Sequence, residues 1–109
     1  MRGETLKGHL DAMLLASLER GPLHGYAIID WLQQRSDGEV SLAAGTLYPA
    51  LHRLEGDALI RGQWEEPPGT RRRRVYALTP KGKRALAARQ QEWLAFSRVM
   101  RAVLGGAHG

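Results

Sequence analysis

The spacing of apolar residues predicts two helices in the first part of the chain. A spacing of three and four residues is the period of a helix that buries one stripe of side chains. The first stripe consists of Leu6, Leu10, Met13, Leu14 and Leu18. Gly21-Pro22 predicts the end of this helix, because proline cannot continue the hydrogen-bond ladder. A second helical pattern begins near Tyr26 and ends at the turn residues 36–38.

A third helix, with a proline inside it, is predicted over residues 44–57. Its apolar stripe consists of Leu47, Leu51 and Leu54. The ring of Pro49 crowds the carbonyl of residue 45, which lies in the first turn, so we expect a local distortion rather than a break. Just before this helix, Val40-Ser41-Leu42 predicts a very short strand.

A β-hairpin and a long helix are predicted in the last part of the chain. Two alternating segments, 59–65 and 72–78, flank Pro67-Pro68-Gly69 and predict the hairpin. Thr79-Pro80 then supplies a capping hydroxyl and a proline for the first helical position. The helix is expected to end at Gly105-Gly106. The stripe of this last helix consists of Leu86, Arg89, Trp93, Phe96, Met100 and Val103.

The length of the last helix favours a dimer. A helix of about 25 residues is roughly 37 Å long, which exceeds the width of so small a domain. Trp93, Phe96 and Met100 would therefore contact water in a monomer. The alternative is that the helix folds back onto its own domain, but the shorter helices offer little further apolar surface. A second copy of the chain, covering the exposed stripe, explains it better than a helix that folds back.

Composition limits the classes of function. The 109 residues suffice for one domain and include no cysteine, which excludes disulfides, thiolate metal sites and thiol nucleophiles. No apolar run is long enough for a membrane span and no secretory signal is evident, so we expect a cytoplasmic protein without a membrane partner. The four histidines are scattered, no glycine-rich phosphate loop is present, and Asp11 and Asp30 lack a partner for acid–base chemistry. We therefore expect neither an enzyme nor a metal or cofactor site.

The charge is distributed unevenly along the chain. The net charge is +5, but residues 1–66 carry six basic and ten acidic side chains, and residues 67–109 carry ten basic and one acidic. The first part thus has a net charge of −4 and the second +9. Four consecutive arginines, Arg71–Arg74, lie at the tip of the predicted hairpin. This concentration of cations indicates a polyanionic partner.

The order of elements describes a winged helix-turn-helix, a mainly α fold with a small β-hairpin. Residues 1–79 would form the DNA-binding domain, and residues 80–109 a C-terminal dimerisation helix and tail. In such a domain the third helix enters the DNA major groove and the hairpin lies along the phosphates. Two other classes of function remain open. The scaffold could grip an acidic protein, or it could carry a small molecule, because a fold does not fix a function.

Three sequence blocks resemble the PadR family of bacterial transcriptional regulators. They are residues 10–18 followed by 21–26 (GPLHGY), residues 45–55 (GTLYPALHRLE) and residues 75–82 (VYALTPKG). The resemblance implies a homodimeric repressor that binds a palindromic operator in double-stranded DNA. A single long C-terminal helix is similar to the short subgroup of the family, in which this helix and the first one form the dimer interface. In some members a flat aromatic or cationic effector binds between the subunits.

The resemblance also implies roles for individual residues. DNA-facing positions are Tyr26, Thr46, Tyr48, Pro49, His52, Arg53, Arg71, Arg72, Arg73 and Arg74. Positions at the dimer interface or effector site are Leu10, Leu14, Leu86, Trp93, Phe96, Met100 and Val103. The chain departs from the family pattern at both ends of the third helix. Ala43-Ala44 replaces the usual Ser or Asn cap, and Ala58 replaces the usual glycine, with Gly56 two residues earlier.

Overall fold

A computed structural model describes residues 9–105 of the chain. The helices are α1 (Leu10–Ser17), α2 (Gly25–Arg35), α3 (Ala44–Gly56) and α4 (Pro80–Leu104). The strands are β1 (Leu23–His24), β2 (Ile60–Glu65) and β3 (Arg73–Leu78). The predicted winged helix-turn-helix architecture with a long last helix is confirmed. Leu6, predicted in the first helix, and Gly106, predicted at the end of the last helix, lie outside the described residues.

The three strands form one antiparallel sheet in the order β1-β3-β2. The predicted hairpin is present, and it pairs Ile60 with Leu78 and Glu65 with Arg73. On the other edge of β3, Leu23 pairs with Tyr76. The sequence did not indicate β1, because two residues show no periodicity. The central strand β3 is therefore paired on both sides.

The predicted strand at Val40-Ser41-Leu42 is wrong. These residues form an extended connection without strand pairing, and the side chains of Val40 and Leu42 are buried in the core. Apolar residues two apart point to one side of any extended segment, whether or not a neighbouring strand is present. Burial of the two side chains produced the pattern that resembled a strand.

The core lies between α1, α2, α3 and the inner face of the sheet. The three leucines of α3 are completely buried, as their spacing predicts. Pro49 lies inside α3 without ending it. The first cap position, Ala43, makes no side-chain hydrogen bond to the helix, and Ala58 adopts a left-handed conformation with φ of 61° where glycine is favoured.

The first turns of α4 are packed into the winged domain. The Thr79 hydroxyl caps the helix by accepting a hydrogen bond from the Gly82 N–H at 3.0 Å, and it lies 2.6 Å from the Ala58 carbonyl, to which it donates. A Cβ atom on Gly82 would lie 1.9 Å from the Leu59 carbonyl oxygen, so only glycine fits this approach. Leu86 is buried one turn later. Beyond it α4 leaves the domain, and the molecule measures 57 × 28 × 22 Å.

Candidate nucleic-acid interface

The outer face of α3 carries polar and aromatic side chains. Thr46, Tyr48, Pro49, His52 and Arg53 are exposed, whereas the leucines between them are buried. Hydroxyl, imidazole and guanidinium groups can donate to base edges or to phosphate oxygens. The face is therefore chemically suited to contact a duplex.

We call the hairpin, residues 60–78, the wing. A groove runs between the wing and this face of α3. One part, of about 540 Å³, is bordered by Tyr26 from α2, Tyr48 from α3 and Arg71–Arg74 from the wing. An adjoining part of about 590 Å³ is bordered by Tyr48, His52 and Arg74. The fold thus brings together residues from three separate segments of the sequence. All the predicted DNA-facing residues except Thr46, Pro49 and Arg53 border this groove.

The position of Tyr48 depends on a glycine in α2. A Cβ atom on Gly25 would lie 2.3 Å from the Tyr48 hydroxyl oxygen, so the phenol ring rests where a side chain would otherwise be. Next to it, His24 caps α2, because its Nδ1 accepts a hydrogen bond from the Ala27 N–H at 3.3 Å. Sequence reasoning did not include His24 and Gly25 among the site residues.

The four arginines of the wing differ in their surroundings. Arg71 is exposed and makes no ion pair with another residue of the 9–105 range. Arg72 lies 4.4 Å from the centre of the Trp64 ring and 3.8 Å from a Glu66 carboxylate oxygen. Arg73 has a comparable exposed ion pair with Glu65. Such surface pairs contribute little and compete poorly with phosphate.

Arg74 differs from the other three. Its guanidinium is half-buried and lies 2.6 Å from a carboxylate oxygen of Glu55 on α3. Burial raises the pKa of the neighbouring Tyr76 phenol, and Arg74 opposes that rise without cancelling it. Tyr76 is therefore uncharged at neutral pH, and it does not repel an approaching phosphate.

Arg53 faces α1 rather than the wing. Its guanidinium donates to the carboxylate of Asp11, and both side chains remain partly exposed. The two residues are 42 positions apart in the sequence, which is why no local pattern indicated the pair. Arg53 therefore lies at the edge of the α3 face, next to α1.

The far half of α4 is an uncovered apolar surface. Trp93, Phe96, Met100 and Val103 are exposed, and the Trp93 and Phe96 ring centres are 5.9 Å apart. A groove of about 690 Å³ separates α1 from α4 and is bordered by Met13, Trp93 and Phe96 among others.

Two residues predicted at the dimer interface or effector site are enclosed by their own chain. Leu14 is completely buried and Leu86 nearly so, because the winged domain of the same chain encloses them. Leu14 has no free surface for a partner, whereas Leu86 borders the α1–α4 groove. Leu10 is half-buried and packs against the core.

Metal-binding and membrane-spanning features are absent from the described part of the chain. Residues 9–105 contain no group of three His, Asp or Glu side chains placed to share a metal ion. None of the helices in that range combines the length and the apolarity that crossing a bilayer requires.

Comparisons with known proteins agree with this geometry. The model of the transcriptional regulator PadR-like family matches residues 14–88. A transcriptional regulator of Mycobacterium tuberculosis is 43% identical over 77 residues, which are 70% of this chain and 68% of that protein. A PadR family transcription regulator from Clostridium difficile has a similar structure, with a TM-score of 0.78 and 35% identity over 89% of this chain and 99% of that one.

A solved complex with DNA is also similar. The structure of Bacillus subtilis PadR bound to operator DNA has a TM-score of 0.66 and 26% identity. The alignment covers 79% of this chain and 46% of that one.

Proposed function

Because this chain belongs to the PadR-like family of transcriptional regulators, whose members are DNA-binding regulators and not enzymes, we propose that it is a homodimeric repressor. It acts in the cytoplasm and binds a palindromic operator through α3 and the wing. The observation that carries this proposal is the groove in which Tyr48, His52 and the arginine-rich wing meet. The Bacillus subtilis relative, solved with operator DNA, supports the choice of partner.

The contacts divide into two kinds. The exposed side chains of α3, above all Tyr48 and His52, meet base edges and set the preferred sequence. Arg71, Arg72 and Arg73 meet phosphates, which adds affinity for any duplex. Tyr26 borders the same groove, so in the proposed complex it would lie against the sugar-phosphate backbone.

Dimerisation follows from the apolar stripe of α4. Two copies that bury Phe96, Met100 and Val103 against each other remove from water a surface that one chain leaves exposed. A two-fold dimer presents two α3 helices, which should stand about 34 Å apart to reach successive major grooves on one side of a duplex. The palindromic operator follows from that symmetry.

The effector site is the groove between α1 and α4. It is mostly apolar, and the exposed rings of Trp93 and Phe96 border it beside the Glu92 carboxylate. Flat aromatic compounds stack on such rings, and a cationic one would also be attracted by the ring faces. The charge of Glu92 is balanced by its ion pair with Arg89, which borders the same groove. Binding there would change the packing of the two α4 helices and release the operator.

Selection of bound genomic fragments, followed by gel shifts, tests this function. We expect a palindromic sequence to be enriched, and we expect Tyr48→Ala and His52→Ala to reduce the preference for it over random duplex. Arg71→Ala should weaken binding to both duplexes to a similar degree. Arg98→Ala is the matched control, since it removes the same charge from an exposed site on α4. A wild-type protein that binds no duplex even at low salt would instead favour an acidic protein partner.

A further inference from the structure

The wing is joined to α3 by an ion pair between Glu55 and Arg74, and DNA binding alone does not explain a carboxylate at this place. We propose that Glu55 and Arg74 are positioning residues that fix the angle of the wing on α3, and that Arg74 makes no phosphate contact. This inference rests on the proposed function, because the wing angle matters only if the wing lies along DNA. By this inference, three of the four wing arginines bind phosphate, and Arg74 positions the wing on α3.

Glu55 connects the two elements through a single carboxylate oxygen. Its Oε2 accepts one hydrogen bond from Arg74 Nη2 at 2.6 Å and another from the backbone N–H of Gly62 at 3.1 Å. The two side chains are only 29% and 30% exposed. Glu55 also lies one residue before the end of α3, where the helix dipole disfavours a negative charge. The positive charge of Arg74 compensates the carboxylate at this position, which further stabilises the ion pair.

Gly62 provides the space that Arg74 occupies. A Cβ atom at Gly62 would lie 2.4 Å from Arg74 Nε, so the guanidinium crosses β2 directly above the glycine backbone. Gly62 and Trp64 lie on the same face of β2, and Trp64 is paired with Arg74 across the hairpin. The Trp64 ring centre is 5.5 Å from the Arg74 guanidinium carbon and 4.4 Å from that of Arg72. A carboxylate, a glycine and an indole thus surround one guanidinium.

These contacts make Arg74 a poor ligand for phosphate. A phosphate would have to displace a carboxylate that is already within 2.6 Å and partly shielded from water, and Glu55 would repel it. Arg71 has no such competitor among the described residues, and the ion pairs of Arg72 and Arg73 are longer, at 3.8 and 3.7 Å, and more exposed. Arg74 should therefore release no counterion when DNA binds.

The salt dependence of operator binding tests this difference, with Arg71→Gln and Arg74→Gln as matched variants that each remove one wing charge. Arg71→Gln should reduce the slope of log K against log salt by about 0.9 per protomer. Arg74→Gln should leave the slope unchanged and weaken binding about tenfold at every salt concentration, because the wing loses its fixed angle. Glu55→Gln should free Arg74 for phosphate and steepen the slope.

Gly62→Ala provides a test without any change of charge. It should displace the guanidinium and reproduce the uniform loss of affinity seen with Arg74→Gln. Circular dichroism and urea unfolding would establish that each variant is folded. If Gly62→Ala does not fold, the salt slopes of Arg74→Gln and Glu55→Gln still decide the question. If Arg74→Gln flattens the slope as Arg71→Gln does, Arg74 binds phosphate and the inference is wrong. If the wild-type protein binds no duplex, the proposed function is wrong and the inference falls with it.

Discussion

Phe96→Ala should dissociate the proposed dimer. A buried aromatic side chain removes roughly 200 Å² from water, and Phe96 is 53% exposed, so about 100 Å² remains to be covered by a partner. At about 25 cal/mol per Å², and with part of the area retained by alanine, the loss is about 2 kcal/mol per protomer. A symmetric interface contains the residue twice, which gives about 4 kcal/mol and a dissociation constant on the order of a thousandfold higher.

Sedimentation velocity over a range of protein concentrations measures this effect. Leu94→Ala is the control, because Leu94 is 57% exposed on the same helix but lies about 160° around the axis from Phe96. The control should remain dimeric wherever the wild-type protein does, and Phe96→Ala should sediment as a monomer and bind the operator more weakly. Equal dissociation of both variants, or of neither, would refute the assignment of the stripe as the interface.

Three further substitutions test contacts within the chain. Gly82→Ala should destabilise the fold by about 1–3 kcal/mol in urea unfolding, because its Cβ would overlap a backbone carbonyl, whereas Gly45→Ala, with open space around it, should not. Thr79→Ala should reduce the free energy of unfolding by about 1 kcal/mol through loss of the α4 cap, and Thr79→Ser should retain it. Asp11→Asn should change thermal stability by less than about 1 kcal/mol, yet it should strengthen operator binding by releasing Arg53. Weaker binding in gel shifts would mean instead that Asp11 orients Arg53 for DNA.

The helices were predictable because each of them carries apolar residues at helical spacing, whether that stripe is buried, as in α3, or exposed, as in the far half of α4. The leucines of α3 and the Thr79-Pro80 start of α4 carry local signals that tertiary packing does not override. β1 carries no such signal, since it exists only because Leu23 and His24 meet the free edge of β3. At Val40 and Leu42 the same burial occurs without strand pairing, so the pattern alone could not distinguish the two cases.

The candidate site was predictable as a set of residues but not as a set of contacts. The sequence placed four similar arginines in a row, and only the fold shows that one of them is held by a glutamate 19 positions away. The contact of Gly25 with Tyr48 likewise joins two motifs whose separation in the sequence hides their proximity. Contacts of this kind depend on how the wing and α2 pack on α3. The spacing of apolar residues along the sequence does not show how these elements pack.

In the proposed dimer, the part of α4 beyond Leu86 would set the distance and the angle between the two winged domains. Each residue inserted between Leu86 and Trp93 would advance the stripe by about 1.5 Å and rotate it by about 100° relative to the winged domain. Insertions of one or two residues would therefore turn the stripe away from a partner, whereas seven residues, close to two full turns, would nearly restore its direction. In that dimer, the separation of the two α3 helices could therefore change only by steps of about whole helical turns.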